Sequence, residues 1–187
     1  ERNAGGINAW GEVRELTGSD AGKNDFVGQS VSVAGDVVIV GACHWGVTKH
    51  QPGAAYVFQR NAGGTNTWGE VRKLNASDGA PDDWFGLSVE VRGDIAAVGA
   101  PVDIYSDTNK NQGSAYVFER NAGGSDNWGE VRKVIASDGT ASNGFGYAVG
   151  TSGDTIVAGA CNTSPGATNM GSVYVFERNA GGPGNWG

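Results

Sequence analysis

The sequence predicts an all-β chain of small four-stranded antiparallel sheets, three to the chain, that stack on one another like the blades of a propeller. Three observations carry this expectation. A set of landmarks returns in order with a period of about 60 residues, the size of one sheet unit. The 187 residues include 33 glycines and a single methionine, and strong helix formers are sparse. Val, Trp, Tyr and Phe fall in short clusters bounded by Gly, Asn, Asp and Ser, the texture of short strands joined by turns.

The repeat is read directly. Glu1-Arg-Asn-Ala-Gly-Gly6 returns at residues 59–64, 119–124 and 177–182. Trp10-Gly-Glu-Val-Arg14 returns at 68–72 and 128–132, and the pair Ser19-Asp20 as Ser77-Asp78 and Ser137-Asp138. Gly35-Asp36, Gly41-Ala42 and Tyr56-Val-Phe58 each return twice as well. The repeats run 1–58, 59–118 and 119–176, with a partial fourth at 177–187 that duplicates the opening residues. Length varies in one place, the segment after Gly-Ala. Residues 43–53, 101–113 and 161–171 are therefore loops on an otherwise fixed unit.

The first period shows the elements in order. Residues 29–33 alternate Val31 and Val33 with Ser30 and Ser32, which predicts a strand with one apolar face. A turn at 34–36 follows, then residues 37–40, apolar throughout as in a strand covered on both sides. Residues 54–59 put Tyr56 and Phe58 on one face and Ala55 and Val57 on the other. Glycines at 63 and 64 mark a turn, because glycine supplies positive φ without cost. Residues 68–74 carry more charge and suit an outer edge strand. A lone four-stranded sheet cannot bury both faces, so neighbours must stack and bury the Val and aromatic side chains between them, at about 25 cal/mol per Å² of apolar area. Closed propellers need about four to eight blades. Three repeats thus imply a larger propeller, a multi-chain one, or an open stack of units.

These motifs resemble a known repeat. Phe85-Gly86, Gly93-Asp94, Val98-Gly-Ala-Pro101 and Gly113-Ser-Ala-Tyr-Val-Phe118 follow one another as in the FG-GAP repeat of integrin α-subunit propellers and of many surface proteins. The third period has Phe145-Gly146 and Gly159-Ala-Cys161; the first, with Phe26-Val-Gly28 and Gly41-Ala-Cys43, is a looser match. The resemblance implies a β-propeller, extracellular or on the cell surface, used for adhesion or ligand binding. It also implies calcium loops between the first two strands, but the short Gly-Asp turns here leave no room for the several oxygen ligands Ca²⁺ takes.

Composition narrows the partners. The formal charge is −7 and the pI about 4.7, which repels phosphate backbones and disfavours nucleic acid. No apolar run reaches the roughly 18 residues of a membrane span, and no secretory signal is recognisable. Two cysteines are too few for a disulfide framework.

Candidate residues fall into three groups. Asp20, Asp78 and Asp138, with Asp25, Asp82 and Asp83 nearby, line the loops before each first strand. Turn carboxylates that cap backbone N–H groups explain them, with a shared Ca²⁺ as the alternative. The variable loops carry His44, Trp45, Tyr105 and Asn162 and share a rim with Trp84. Aromatics beside polar groups suit a protein or carbohydrate ligand. Cys43, His44 and His50 could be read as a metal or nucleophile cluster, but only one period has the histidines. Cys43 and Cys161 stand where another repeat has Pro101, and small buried residues explain them better. The recurring Trp10, Trp68, Trp128 and Trp186 read as packing. Arg92-Gly93-Asp94 reads as a hairpin turn, since its counterparts keep only Gly-Asp.

The function expected is non-catalytic: a scaffold, adhesion or ligand-binding module. A self-assembling structural element, joined through its repeat ends, is the alternative. An enzyme with a loop-rim active site ranks below both, because no catalytic constellation recurs and there are two histidines.

Overall fold

The computed structural model describes residues 1–43, 51–103, 112–139, 143–161 and 171–187. Eleven strands run in chain order: β1 (Ser30–Ala34), β2 (Val37–Ala42), β3 (Ala54–Arg60), β4 (Trp68–Leu74), β5 (Ser88–Arg92), β6 (Ile95–Ala100), β7 (Ser114–Glu119), β8 (Gly129–Val134), β9 (Phe145–Thr151), β10 (Thr155–Ala160) and β11 (Ser172–Glu177). They form three antiparallel meanders, β1-β2-β3-β4, β5-β6-β7-β8 and β9-β10-β11. Among the described residues there is no helix. The predicted strands differ from the observed ones mainly at their ends: β1 sits one residue later, and β2 and β3 run on to Ala42 and Arg60. The third sheet has three strands where the pattern predicts four. Trp186 bridges Arg178, which starts the outer strand's place without extending it.

Two apolar layers join the sheets. The first packs Val37, Ile39, Ala55, Val57 and Leu74 of one sheet against Val89, Val91, Val98, Tyr116, Phe118 and Trp128 of the next. The second packs Ile95, Ala97, Ala115, Val117 and Val134 against Phe145, Ile156, Ala158 and Trp186. Alternation along each strand sends one set of side chains to each neighbour, which is why β6 is buried at every residue. Trp68, Trp128 and Trp186 are packed as expected, but Trp10 is 79% exposed, because among the described residues it belongs to none of the three sheets.

The turn motifs have identifiable jobs. In Glu-Arg-Asn-Ala-Gly-Gly the asparagine takes positive φ (Asn61, 66°) and its Oδ1 accepts the Asn66 N–H at 2.7 Å. The same bond forms from Asn8 to Asn3 and from Asp126 to Asn121. The arginine pairs with the hairpin Asp of its own sheet: Arg60 with Asp36 at 2.8 Å and Arg178 with Asp154 at 3.1 Å. Arg92-Gly93-Asp94 lies in that hairpin, with Gly93 at φ 58° and Asp94 3.7 Å from Arg120. Its aspartate therefore serves the fold.

Candidate functional site

The loops that precede β1, β5 and β9 meet the stems of the variable loops on one rim. Backbone bonds staple these stems to the following sheet. Asp82 N–H donates to Gln51 O at 3.2 Å, Phe85 N–H to Pro52 O at 2.9 Å, and Phe145 N–H to Gln112 O at 2.8 Å. On its own sheet, Val102 N–H donates to Asp83 O at 3.3 Å. The stems of the first two variable loops are thus fixed to the sheet that follows each of them. His44, Trp45, His50, Tyr105 and Asn162 lie outside the described residues.

The Ser-Asp loops are occupied by the chain itself. Asp20 accepts from Tyr56 Oη at 2.8 Å and from Lys73 Nζ at 2.7 Å. The Lys73 bond, then the Tyr56 bond, hold its carboxyl below the usual carboxylate range. Asp78 repeats the arrangement with Tyr116 at 2.8 Å and Lys133 at 2.7 Å. Burial pushes Asp78 upward, but its bonds to Lys133 and Tyr116 outweigh that and leave it lowered. Asp138 receives the Tyr174 hydroxyl at 2.6 Å. Burial and the aspartate bond push both Tyr56 and Tyr116 upward, and the Asp138 bond, then burial, does the same to Tyr174. The serines act in parallel: Ser19 N–H and Oγ grip the Glu70 carboxylate at 2.7 and 3.0 Å, and Ser77 grips Glu130 at 2.9 and 2.8 Å. The first two Ser-Asp loops are thus clasps that hold the outer strand of the sheet after them, β4 and β8, while the third reaches Tyr174 of β11.

The other acidic residues of these loops are turn formers. Asp25 and Asp83 accept the N–H of Gly22 at 2.7 Å and of Ala80 at 2.6 Å, three residues back in each case. Asp82 sits at positive φ. The second sheet adds one group that sequence reasoning missed: Asp103, 2% exposed, bonds Tyr116 Oη at 2.8 Å and pairs with Lys133. Burial opposes the charge on Lys133, but Asp103 and Asp78 prevail and raise its pKa. Burial also raises the Asp83 carboxyl to about 6, against its bond from Ala80. Among the described residues no three His, Cys, Asp or Glu side chains are grouped to hold a metal ion; the Lys73 and Lys133 ammoniums stand beside the carboxylates that Ca²⁺ would need.

Two sequence readings shift. Phe26 is not the counterpart of Phe85. Phe85 and Phe145 pack on the tyrosines of their own sheets, both at 5.4 Å between ring centroids, and in the first sheet Val27 packs beside Tyr56 and Phe58. Phe26 instead matches Trp84 and Gly144, all three at positive φ (54°, 60° and 66°). The glycine shows the conformation, and the aromatics occupy it at some strain. Phe26 is 48% exposed and Trp84 is half-buried at the rim. The cysteines also part: Cys43 is buried, whereas Cys161 is exposed, on a sheet face that no other described sheet covers.

No curated protein matches the chain. The family model described as FG-GAP repeat matches residues 10–58, 68–118 and 128–176. The second match opens at Trp68, the first residue of outer strand β4, and closes within β7. One family repeat therefore gives its outer strand to one sheet and its other strands to the next. With three such matches over most of its length, the chain belongs to the FG-GAP repeat family.

Proposed function

We propose that this propeller-type module is non-catalytic and works outside the cell or on its surface, as an adhesion or scaffold element. Its ligand, a protein or a carbohydrate, sits on the rim of variable loops. One observation supports this reading above the others: the stems of the first two variable loops, which differ in length and sequence, are bonded in the same way to the sheet that follows. Variable loops on a rigid frame are the usual seat of binding residues. Phe26 and Trp84, held at positive φ beside those stems, offer apolar contact area next to polar backbone.

The test is a binding screen of the chain on a glycan array and on purified matrix proteins. Binding should fall about tenfold or more when the 101–113 loop is replaced by the shorter 161–171 loop, or when Trp84 becomes Asn, which tolerates positive φ. Unchanged binding in both variants would place the ligand elsewhere.

A further inference from the structure

Each joint between sheets is a fit of backbone into glycine. At the first, the Gly86 carbonyl oxygen lies 2.0 Å from where a Cβ on Gly41 would stand, and that of Phe85 2.1 Å from a Cβ on Gly53. At the second, Gly146 O is 1.9 Å from the Gly99 position and Phe145 O is 2.2 Å from that of Gly113. Ser30 and Ser88 donate to the same Gly86 and Gly146 carbonyls, both at 2.8 Å.

Among the described residues, the far face of the third sheet carries the same sockets, open. Gly159 is the counterpart of Gly41 and Gly99, yet the nearest atom to its absent Cβ is Ala148 Cβ at 3.7 Å. For Gly171, counterpart of Gly53 and Gly113, the three nearest atoms among the described residues belong to Ala160 and Cys161 of its own sheet, the nearest at 3.3 Å. With Tyr147 and Val173 they line a groove of about 460 Å³. Val173 and Val175 are 70% and 60% exposed, whereas Ala115 and Val117 at the same places are at 0%. The first sheet presents the matching plug. Gly28, counterpart of Gly86 and Gly146, has nothing within 4 Å of its Cβ position. Val31 and Val33 are 66% and 67% exposed where Val89 and Val91 are at 7% and 1%.

We propose that a second copy of this chain docks head to tail, its Val27–Gly28 turn entering the Gly159–Gly171 groove and its Val31 and Val33 covering Val173 and Val175. The contact continues the two joints already within the chain. It also supplies the third sheet's outer strand. Glu12-Val-Arg-Glu-Leu16 has the pattern of Glu70-Val-Arg-Lys-Leu74, and Ser137 stands ready for Glu12 as Ser19 does for Glu70. The opening turn need only exchange like for like. Glu1 now pairs with Arg60, and Glu177 of the receiving copy is its repeat counterpart, as Glu119 is on Arg178.

Two substitutions weaken this joint relative to the internal ones. Ala148 replaces the serine that donates to the inserted carbonyl, and Glu15 replaces the lysine that would meet Asp138.

Sedimentation velocity on the 187-residue chain tests the proposal. The mass should rise with concentration above the single-chain 19.1 kDa, as a closed pair or as a longer head-to-tail series. Gly159→Val, whose Cβ makes ordinary contact with Ala148 at 3.7 Å and clashes with no described residue, and Val173→Lys, on an exposed face, should each abolish association, with the thermal midpoint of the dilute single chain unchanged. Ala148→Ser should tighten it about 3- to 10-fold, the worth of one hydrogen bond, and Glu15→Lys should tighten it too. A single-chain mass up to ~1 mM, the weak limit of specific affinity, would overturn the proposal, as would association that Gly159→Val and Val173→Lys leave intact. Neither result bears on the loop rim, whose ligand binding is read separately.

Discussion

Gly99 and Gly159 hold the same place in the repeat and have opposite tolerance for a side chain. A Cβ at Gly99 meets the Gly146 carbonyl at 1.9 Å, and that carbonyl belongs to the backbone of the next sheet. Gly99→Ala should therefore cost about 3 kcal/mol or more, the upper range for overpacking, while Gly159→Ala should stay within about 0.5 kcal/mol. Urea denaturation of the two variants checks this, and equal costs would refute the socket geometry. Nothing in the sequence separates the two glycines; only the neighbouring sheet does. Asp83 makes a second case. Burial raises its carboxyl to about 6, above the unfolded value of about 3.9. The folded chain then holds this proton more tightly, so the stability it contributes is complete below about pH 4 and is lost as pH rises through about 6. The third repeat carries Asn143 at this place, also buried. Asp83→Asn should stabilise by about 1–2 kcal/mol at pH 7 and by almost nothing at pH 4. The same gain at both pH values would show that the carboxyl is not raised.

At the scale of elements, the outer strands are held by Ser-Asp clasps of unequal depth. Lys73 meets Asp20 with side chains 34% and 58% exposed, whereas Lys133 meets Asp103 with 16% and 4%. Exposed pairs contribute about 0–1 kcal/mol, but breaking a buried pair strands a charge and costs about 3–5 kcal/mol. Lys133→Met should thus destabilise by about 3 kcal/mol, with Asp78 and Asp103 left facing each other, and Lys73→Met by less than about 1 kcal/mol. Chemical denaturation of both variants decides, and similar losses would mean the deeper clasp is solvated. This element also shows where sequence reading stopped. The strands were legible because Val and aromatic residues alternate with a period of two within each repeat. The acidic loops read equally as turns or as a shared cation site, because Lys133 lies 55 residues from Asp78 and only the fold brings the ammonium to the carboxylate.

Across the whole molecule, the family repeat and the sheet are out of step by one strand, so adjoining sheets are tied through the chain as well as through their faces. Stability in such an array is set by nearest neighbours. The middle sheet has both faces covered, and β6 is buried at every residue. Among the described residues the third sheet shows one face to solvent, and β11 is exposed at Ser172, Val173, Val175 and Glu177 and half-buried at Tyr174 and Phe176. β7 and β11 hold the same place in their sheets with nearly the same sequence, Ser-Ala-Tyr-Val-Phe-Glu and Ser-Val-Tyr-Val-Phe-Glu, so sequence pattern alone could not rank their exposure. Local opening draws on the segments with least buried contact. Amide exchange in dilute solution should therefore be slowest in β6 and β7 and faster by at least about tenfold in β11, which corresponds to about 1.4 kcal/mol in opening free energy. Mass-spectrometric exchange on the intact chain reads each strand separately. Uniform protection across the three sheets would mean that they open as one unit, and that an uncovered end face does not lower local stability.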